Sequence, residues 1–261
     1  MSHKAILVVS YGSSYKQERE NAIGGIENAI ANAFPNHKVY RAFTSVSIIE
    51  RIEKKEGIRV DTVSQALERV ITDGITDLTI IQTHLIQEMR HEKLLEMVER
   101  YKTFYEKICV VEPILSCSEN IEVFADGVQS LGCLYEDEDT AICCVGHGID
   151  TETNAIYQRI QKVLQHKGHA NYYVGTLSVR PTLSDLLEQI KSKEKYHRVV
   201  ILPLMLVSGY HVRKDLMGPN GGSWKNVFKR AGFQVECIAK GLGEEAIIQN
   251  VYAEYLKSVI L

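Results

Sequence analysis

The run AICCVGHGID, residues 141–150, decides the fold. From Ala141 to Gly146 it is small or apolar without a break, which is how a strand buried on both faces of a parallel sheet reads. His147 then stands between Gly146 and Gly148, two residues that let the backbone turn sharply at little steric cost. A residue in that place sits at the carboxyl end of its strand, where open α/β sheets bind their ligands. The expectation is an imidazole facing a crevice.

Working outward, strand-like runs fall at 4–10, 38–44, 77–86, 107–113, 141–146, 171–177, 198–207 and 233–239. Between them lie helix-period patterns, such as Ala22, Ile23, Ile26, Ala29, Ile30 and Ala33. Thr182-Leu183-Ser184-Asp185 reads as a capping box that opens a helix carrying Leu186, Leu187 and Ile190. This alternation predicts mostly parallel sheets with helices on both faces.

The order of elements repeats. AILVVSYGS (5–13) matches AICCVGHGI (141–149) at an offset of 136, setting Ser10-Tyr11-Gly12 opposite Gly146-His147-Gly148. The stretch 78–93 matches 199–214 at an offset of 121, setting Arg90 opposite His211. The excess in the first half lies around SIIERIEKKEGIRVDT. Two similar domains are expected, residues 1–134 and 135–261, with SLGCLYEDED the most linker-like segment between them.

Composition narrows the function. Charged residues are 24%, hydrophobic ones 45% and the formal net charge is −3, so no general polyanion-binding surface is indicated and nucleic acid is not expected as a partner. No apolar run reaches the roughly 18 residues of a membrane span, which predicts a cytoplasmic protein with no membrane partner. The six cysteines form no CxxC pair, and Cys143 and Cys144 face opposite sides of a strand, so they read as reduced core thiols. Aromatic residues on the helices suit either a core or the interface of a homo-oligomer.

His147 and His211 each follow a strong strand in the second half. Two imidazoles at neighbouring strand ends can converge on one ion, and neutral histidine suits cobalt, nickel, iron or zinc. His84 falls within a strand run, where a hydrogen-bonded core histidine is the default, although its place near the strand end leaves a cleft role open. Arg90, Arg180, Arg213 and Lys214 gather at predicted strand ends, a distribution suited to a ligand with several carboxylates. The first loop, SYGSSYKQE, adds Ser13, Ser14 and backbone N–H groups before a helix. It is neither a GxGxxG nor a Walker sequence, and the chain has no G-x-S-x-G elbow, which disfavours a nucleotide enzyme and a hydrolase.

VVSYGSSY, RAFTSVSIIERI, the THLI run, VGHG, LPLMLVSGYHVRKDL, GGSW (221–224) and GLGE (241–244) together resemble the anaerobic sirohydrochlorin cobaltochelatases, relatives of the class II chelatases that include ferrochelatase. The resemblance runs collinearly over nearly the whole chain. It implies an α/β fold of two similar Rossmann-like, chelatase-type domains, each a mostly parallel sheet flanked by helices, with a cleft between them. It further implies insertion of Co2+ into sirohydrochlorin or a close precursor, on the way to cobalamin, without an organic cofactor or ATP. The family's metal-binding histidines fall on His147 and His211, which become the expected catalytic and metal residues. Ni2+, Fe2+ and Zn2+ suit the same ligands.

Ser10, Tyr11, Ser13, Ser14, His84, Arg90, Ser178 and Arg180 are the residues expected at a tetrapyrrole substrate. Two of them depart from the family's pattern. A metal-site glutamate, in a stretch like VGxxExxP, is Ser178 in VGTLSVRP, and a second glutamate after the THLI histidine is Arg90. Both changes remove a carboxylate. His147 would then carry the base role alone, or Glu88 or Glu92 would move in. The departures also suit a noncatalytic tetrapyrrole or metal carrier on the same fold. An unrelated α/β enzyme using His147 as a general base would not need both histidines.

Overall fold

The computed structural model describes residues 3–87, 89–149 and 152–260. It contains β1 (Lys4–Ser10), β2 (Lys38–Phe43), β3 (Asp77–Gln82), β4 (Lys107–Val110), β5 (Thr140–Gly146), β6 (Tyr172–Thr176), β7 (Arg198–Pro203) and β8 (Gln234–Cys237). They form two four-stranded parallel sheets of matching order, β2-β1-β3-β4 and β6-β5-β7-β8. Every expected strand is present. Those drawn to 77–86 and 198–207 stop at Gln82 and Pro203, because Ile86 and Leu204 stay buried after the chain has left the sheet, and burial alone prolongs the apolar run.

The chain divides into two compact units, the first Met1–Cys117 with Ala246–Leu261, the second Ser118–Glu245. In the first, Ala5, Leu7 and Val9 of β1 pack with Val63, Ala66, Leu67 and Val70 of the helix Val63–Thr72 and with Leu94 and Val98 of the helix Met89–Glu99. Ile6 and Val8, pointing the other way, are also fully buried, as a central parallel strand requires. Thr62 opens the helix at 63 with a capping box to Gln65.

In the second unit, Ala141, Cys143 and Val145 of β5 join Leu186, Ile190, Val212, Leu216, Trp224 and Phe228 in one core. Ile142 and Cys144 are buried on the other face. The capping box at Thr182 and Asp185 opens the helix Leu183–Lys191 as expected. The first unit carries two helices between β2 and β3, Val46–Glu56 and Val63–Thr72, where the second carries only Leu183–Lys191 between β6 and β7. The helix Val46–Glu56 holds most of the extra sequence.

The domain boundary differs from the expected division at 134. Residues 118–132 form a helix of the second unit, burying Ile121, Phe124, Ala125, Val128 and Leu131 and packing on the helix Ala155–His166. The C-terminal helix Ala246–Ile260 belongs to the first unit, where it packs on the helix Gly25–Ala33 and Tyr252 donates to the Thr83 carbonyl at 2.8 Å. The chain thus re-enters its first unit at the end, which a linear reading of βα repeats does not register. Among the described residues, no helix is long and apolar enough to cross a membrane.

Candidate functional site

The glycines around His147 are explained by their neighbours. A Cβ on Gly146 would lie 2.0 Å from Cε1 of Tyr157, so only glycine lets that ring close over the strand end. Gly148 has φ +81°, and a Cβ there would lie 2.5 Å from Thr176 Oγ1. The Gly148 N–H also donates to the Tyr157 hydroxyl at 3.4 Å. The turn that presents His147 is therefore pinned on both sides.

His211 comes from the loop after β7. The Leu204 N–H donates to the Val145 carbonyl at 2.8 Å, which keeps the two strand ends together before the loop departs. The backbone from Val212 to Leu216 then forms a single π-helical turn, a local form often found at functional sites. It places Asp215 Oδ2 2.7 Å from Nδ1 of His211.

The rings of His147 and His211 meet edge to face, with centroids 4.8 Å apart and an interplanar angle of 82°. Nδ1 of His147 faces the Gly148 carbonyl at 3.0 Å, and a carbonyl only accepts, so this nitrogen must carry the proton. Asp215 imposes the same tautomer on His211. In the neutral form each ring keeps an Nε2 lone pair, the form in which imidazole binds a metal or takes up a proton. Both histidines line a pocket of about 480 Å³ together with Thr176, Ser178, Asp215 and Trp224. Among the described residues, no group of three or more His, Cys, Asp or Glu side chains is arranged to hold an ion.

Ser178 is in this pocket, and its hydroxyl donates to the His147 carbonyl at 2.8 Å. It steadies the histidine turn. Arg180 instead pairs with Asp185 at the helix start. That guanidinium, together with the Thr182 N–H and hydroxyl, holds the Asp185 carboxyl down to about 2. Arg180 therefore acts in the cap of the helix Leu183–Lys191.

The other expected residues are in the first unit. Ser10 is 1% exposed and its hydroxyl accepts from Thr83 Oγ1 at 2.9 Å, while Ser13 is 5% exposed and accepts from the Tyr15 N–H at 3.2 Å. Both hydroxyls are engaged within the first unit, Ser10 by the segment after β3 and Ser13 by its own loop. Ser14 is half-buried. Arg90 and Tyr11 are exposed, and the guanidinium carbon lies 4.8 Å from the centroid of the tyrosine ring. His84 lies beyond the end of β3, and its two ring nitrogens are sealed from solvent without a partner among the described residues. Burial, then the charges of Arg90 and His91, lower its pKa to about 4. Glu88 lies outside the described residues, and Glu92 is exposed on the helix Met89–Glu99.

Asp215 was not anticipated from sequence, although HVRKD carries the i,i+4 spacing that lets a carboxylate reach back to a histidine. Trp224, buried in the core yet part of the pocket wall, left no such signal. All six cysteines are free, and burial pushes the Cys143 and Cys144 thiols upward, away from the thiolate that binds metals.

Comparison with known proteins bears on what this pair does. The family model described as cobalt chelatase (CbiK) matches residues 4–261. The chain is 30% identical over 261 residues to the sirohydrochlorin cobaltochelatase of Salmonella typhimurium, a match covering 98% of this chain and 96% of that protein. It is 23% identical over 262 residues to the sirohydrochlorin cobaltochelatase CbiKC of Nitratidesulfovibrio vulgaris, covering 100% and 92%. Among solved structures, SirB from Bacillus subtilis with Fe3+ shares the fold, with a TM-score of 0.71 at 17% identity over 98% of this chain and 94% of that one. With nearly its whole length matched, the chain belongs to the CbiK cobalt chelatase family.

Proposed function

We propose that this protein inserts Co2+ into sirohydrochlorin, with His147 and His211 as the residues that receive the metal. The observation that carries the reading is the pair itself. Two imidazoles 4.8 Å apart, each with Nδ1 engaged by an acceptor, direct their remaining basicity to Nε2. Family membership and the relatives' names support the reaction and the tetrapyrrole.

In the net reaction a divalent ion enters the macrocycle and two pyrrole protons leave. Charge balances without a redox step, an organic cofactor or ATP. The histidine nitrogens hold the ion while the ring nitrogens replace its other ligands, and a histidine freed of metal can then accept a departing proton. Two nitrogen donors make a weak resting grip, which suits an ion that must be handed on. Ni2+, Fe2+ and Zn2+ fit the same donors, so the identity of the metal in the cell follows from availability as well as from ligand type. We place the reaction in the cytoplasm, where the free cysteines stay reduced.

A specific observation favours a second reading, a tetrapyrrole or metal carrier. Ser178 is hydrogen-bonded to the His147 backbone and supplies no carboxylate, and Arg90 is stacked on Tyr11. An anaerobic optical assay of Co2+ insertion, with protein substoichiometric to sirohydrochlorin and His147→Ala as control, separates the two. Many turnovers per protein, lost in the control, establish the chelatase. A stoichiometric protein-bound spectrum without turnover establishes the carrier.

A further inference from the structure

The first unit contains a counterpart of the histidine pair. Tyr11 is the first residue after β1, as His147 is the first after β5, and each is followed by a glycine of positive φ, Gly12 at +93° and Gly148 at +81°. Arg90 stands eight residues beyond Gln82, where β3 ends, and His211 stands eight beyond Pro203, where β7 ends. The two sheets have the same order, so β1 and β3 adjoin in one unit as β5 and β7 do in the other. In both units the paired side chains meet. The histidine centroids are 4.8 Å apart, and the Arg90 guanidinium carbon is 4.8 Å from the Tyr11 ring centroid.

Equivalent positions thus carry opposite chemistry. Two lone-pair donors in the second unit suit a cation, whereas a guanidinium over an aromatic face suits an anion. We infer that the Tyr11–Arg90 pair of the first unit is a carboxylate-binding site, and that it recognises a peripheral acid group of the tetrapyrrole. The inference rests on the proposed function.

The construction of the site supports this. The platform is rigid, since Thr83 binds Ser10 through its hydroxyl at 2.9 Å and the Val9 carbonyl through its N–H at 2.9 Å. A Cβ on Gly12 would lie 2.6 Å from Phe43 Cδ2, so the turn behind Tyr11 is as tightly set as the one behind His147. Stacking on a ring fixes the plane of a guanidinium, and its in-plane N–H groups match the two oxygens of a carboxylate. Next to it, His84 has sealed ring nitrogens and stays uncharged at neutral pH.

The test measures the binding of metal-free sirohydrochlorin and of its methyl ester by absorption, for the wild type, Arg90→Ala and Arg90→Lys. Arg90→Ala should weaken sirohydrochlorin binding by about tenfold or more, the range of a charge-assisted hydrogen bond, with the lysine variant between. In turnover the loss should fall on KM and not kcat. Because esterification masks every acid group, the informative comparison is the change on mutation: sirohydrochlorin should lose affinity for Arg90→Ala, and the ester should bind wild type and alanine variant alike. Equal binding of sirohydrochlorin by wild type and Arg90→Ala overturns the inference alone, as does an ester that loses as much affinity for the variant as the acid does. A wild type that binds neither compound overturns the chelatase reading and this inference together.

Discussion

Nδ1 of His211 lies 2.7 Å from Asp215 Oδ2, one turn further along the same backbone segment. The carboxylate fixes both the tautomer and the ring plane of the histidine, the task that a carboxylate beside a metal-ligating imidazole performs widely. Asp215→Ala is expected to weaken Co2+ binding about 10–100-fold, and Asp215→Asn, which retains an acceptor oxygen, to weaken it less. The only tryptophan in the chain, Trp224, lines the same pocket, so quenching of its fluorescence by Co2+ reads out affinity directly. Equal affinities in wild type and alanine variant would remove Asp215 from the account.

The serine at 178 makes a second test. Its hydroxyl lines the pocket and points to the His147 carbonyl, where a longer acidic side chain would bring an anionic oxygen. Ser178→Glu adds a negative ligand to two neutral ones, and Co2+ should bind at least about tenfold more tightly. The same tryptophan titration checks it. Affinity unchanged or reduced would show that a carboxylate at 178 does not reach the ion, and that the two histidines work without one.

Much of this arrangement was legible in the sequence because it rests on local patterns. The six-residue apolar run into Gly-His-Gly specifies a buried strand and a sharp turn, and the repeat of that pattern near the N-terminus specifies a second sheet. The pairing of His147 with His211 followed from two strand ends being neighbours. What the sequence concealed depends on contacts between distant segments. The return of residues 246–260 to the first unit is set by packing on the helix Gly25–Ala33, and no periodicity encodes which face they choose. Ser10 and Ser13 read as ligand groups because hydroxyls in a loop before a helix suit anions, and their contacts with Thr83 and Tyr15 were not readable because they depend on the folded loop and the neighbouring strand end. Asp215 was readable in principle, and was hidden by its place among Arg213 and Lys214 in a run that resembles a solvated face.

The turn at Gly148 gives a prediction about stability. A side chain in the left-handed region costs about 1–3 kcal/mol, and at Gly148 the added Cβ also meets Thr176. Gly168 is a matched control, with φ +93° and nothing within 4 Å of a Cβ. Gly148→Ala should therefore lower the urea midpoint more than Gly168→Ala does. It should also impair Co2+ binding, since the turn carries His147, whereas Gly168→Ala should leave the metal titration unchanged. Equal losses at both positions would reduce the role of Gly148 to its backbone angle.

The buried His84 gives a pH dependence whose sign can be worked out. Its folded pKa is about 4, below the ordinary histidine value of about 6.5. Between those values the unfolded chain binds a proton that the folded one refuses, so the stability His84 contributes is present above pH 6.5 and is lost as the pH falls toward 4. Each pH unit in the window costs up to about 1.4 kcal/mol for one proton. The carboxylates with lowered values, Glu20, Glu56, Asp73 and Asp185, act below this range, but His37, lowered by burial, and Glu27, raised by burial, act within it, so the share of His84 is read as the difference between the wild type and His84→Phe. Urea unfolding at pH 7, 6 and 5 should show a falling midpoint in the wild type and a flatter dependence in His84→Phe. Arg90→Ala adds a diagnostic, because the guanidinium is one of the charges that disfavour protonation of His84, and its removal should raise the ring's folded pKa, leaving the onset near pH 6.5 while the loss ends at a higher pH and is smaller in total. Parallel pH profiles in all three proteins would mean that His84 opens to solvent and titrates as an ordinary histidine.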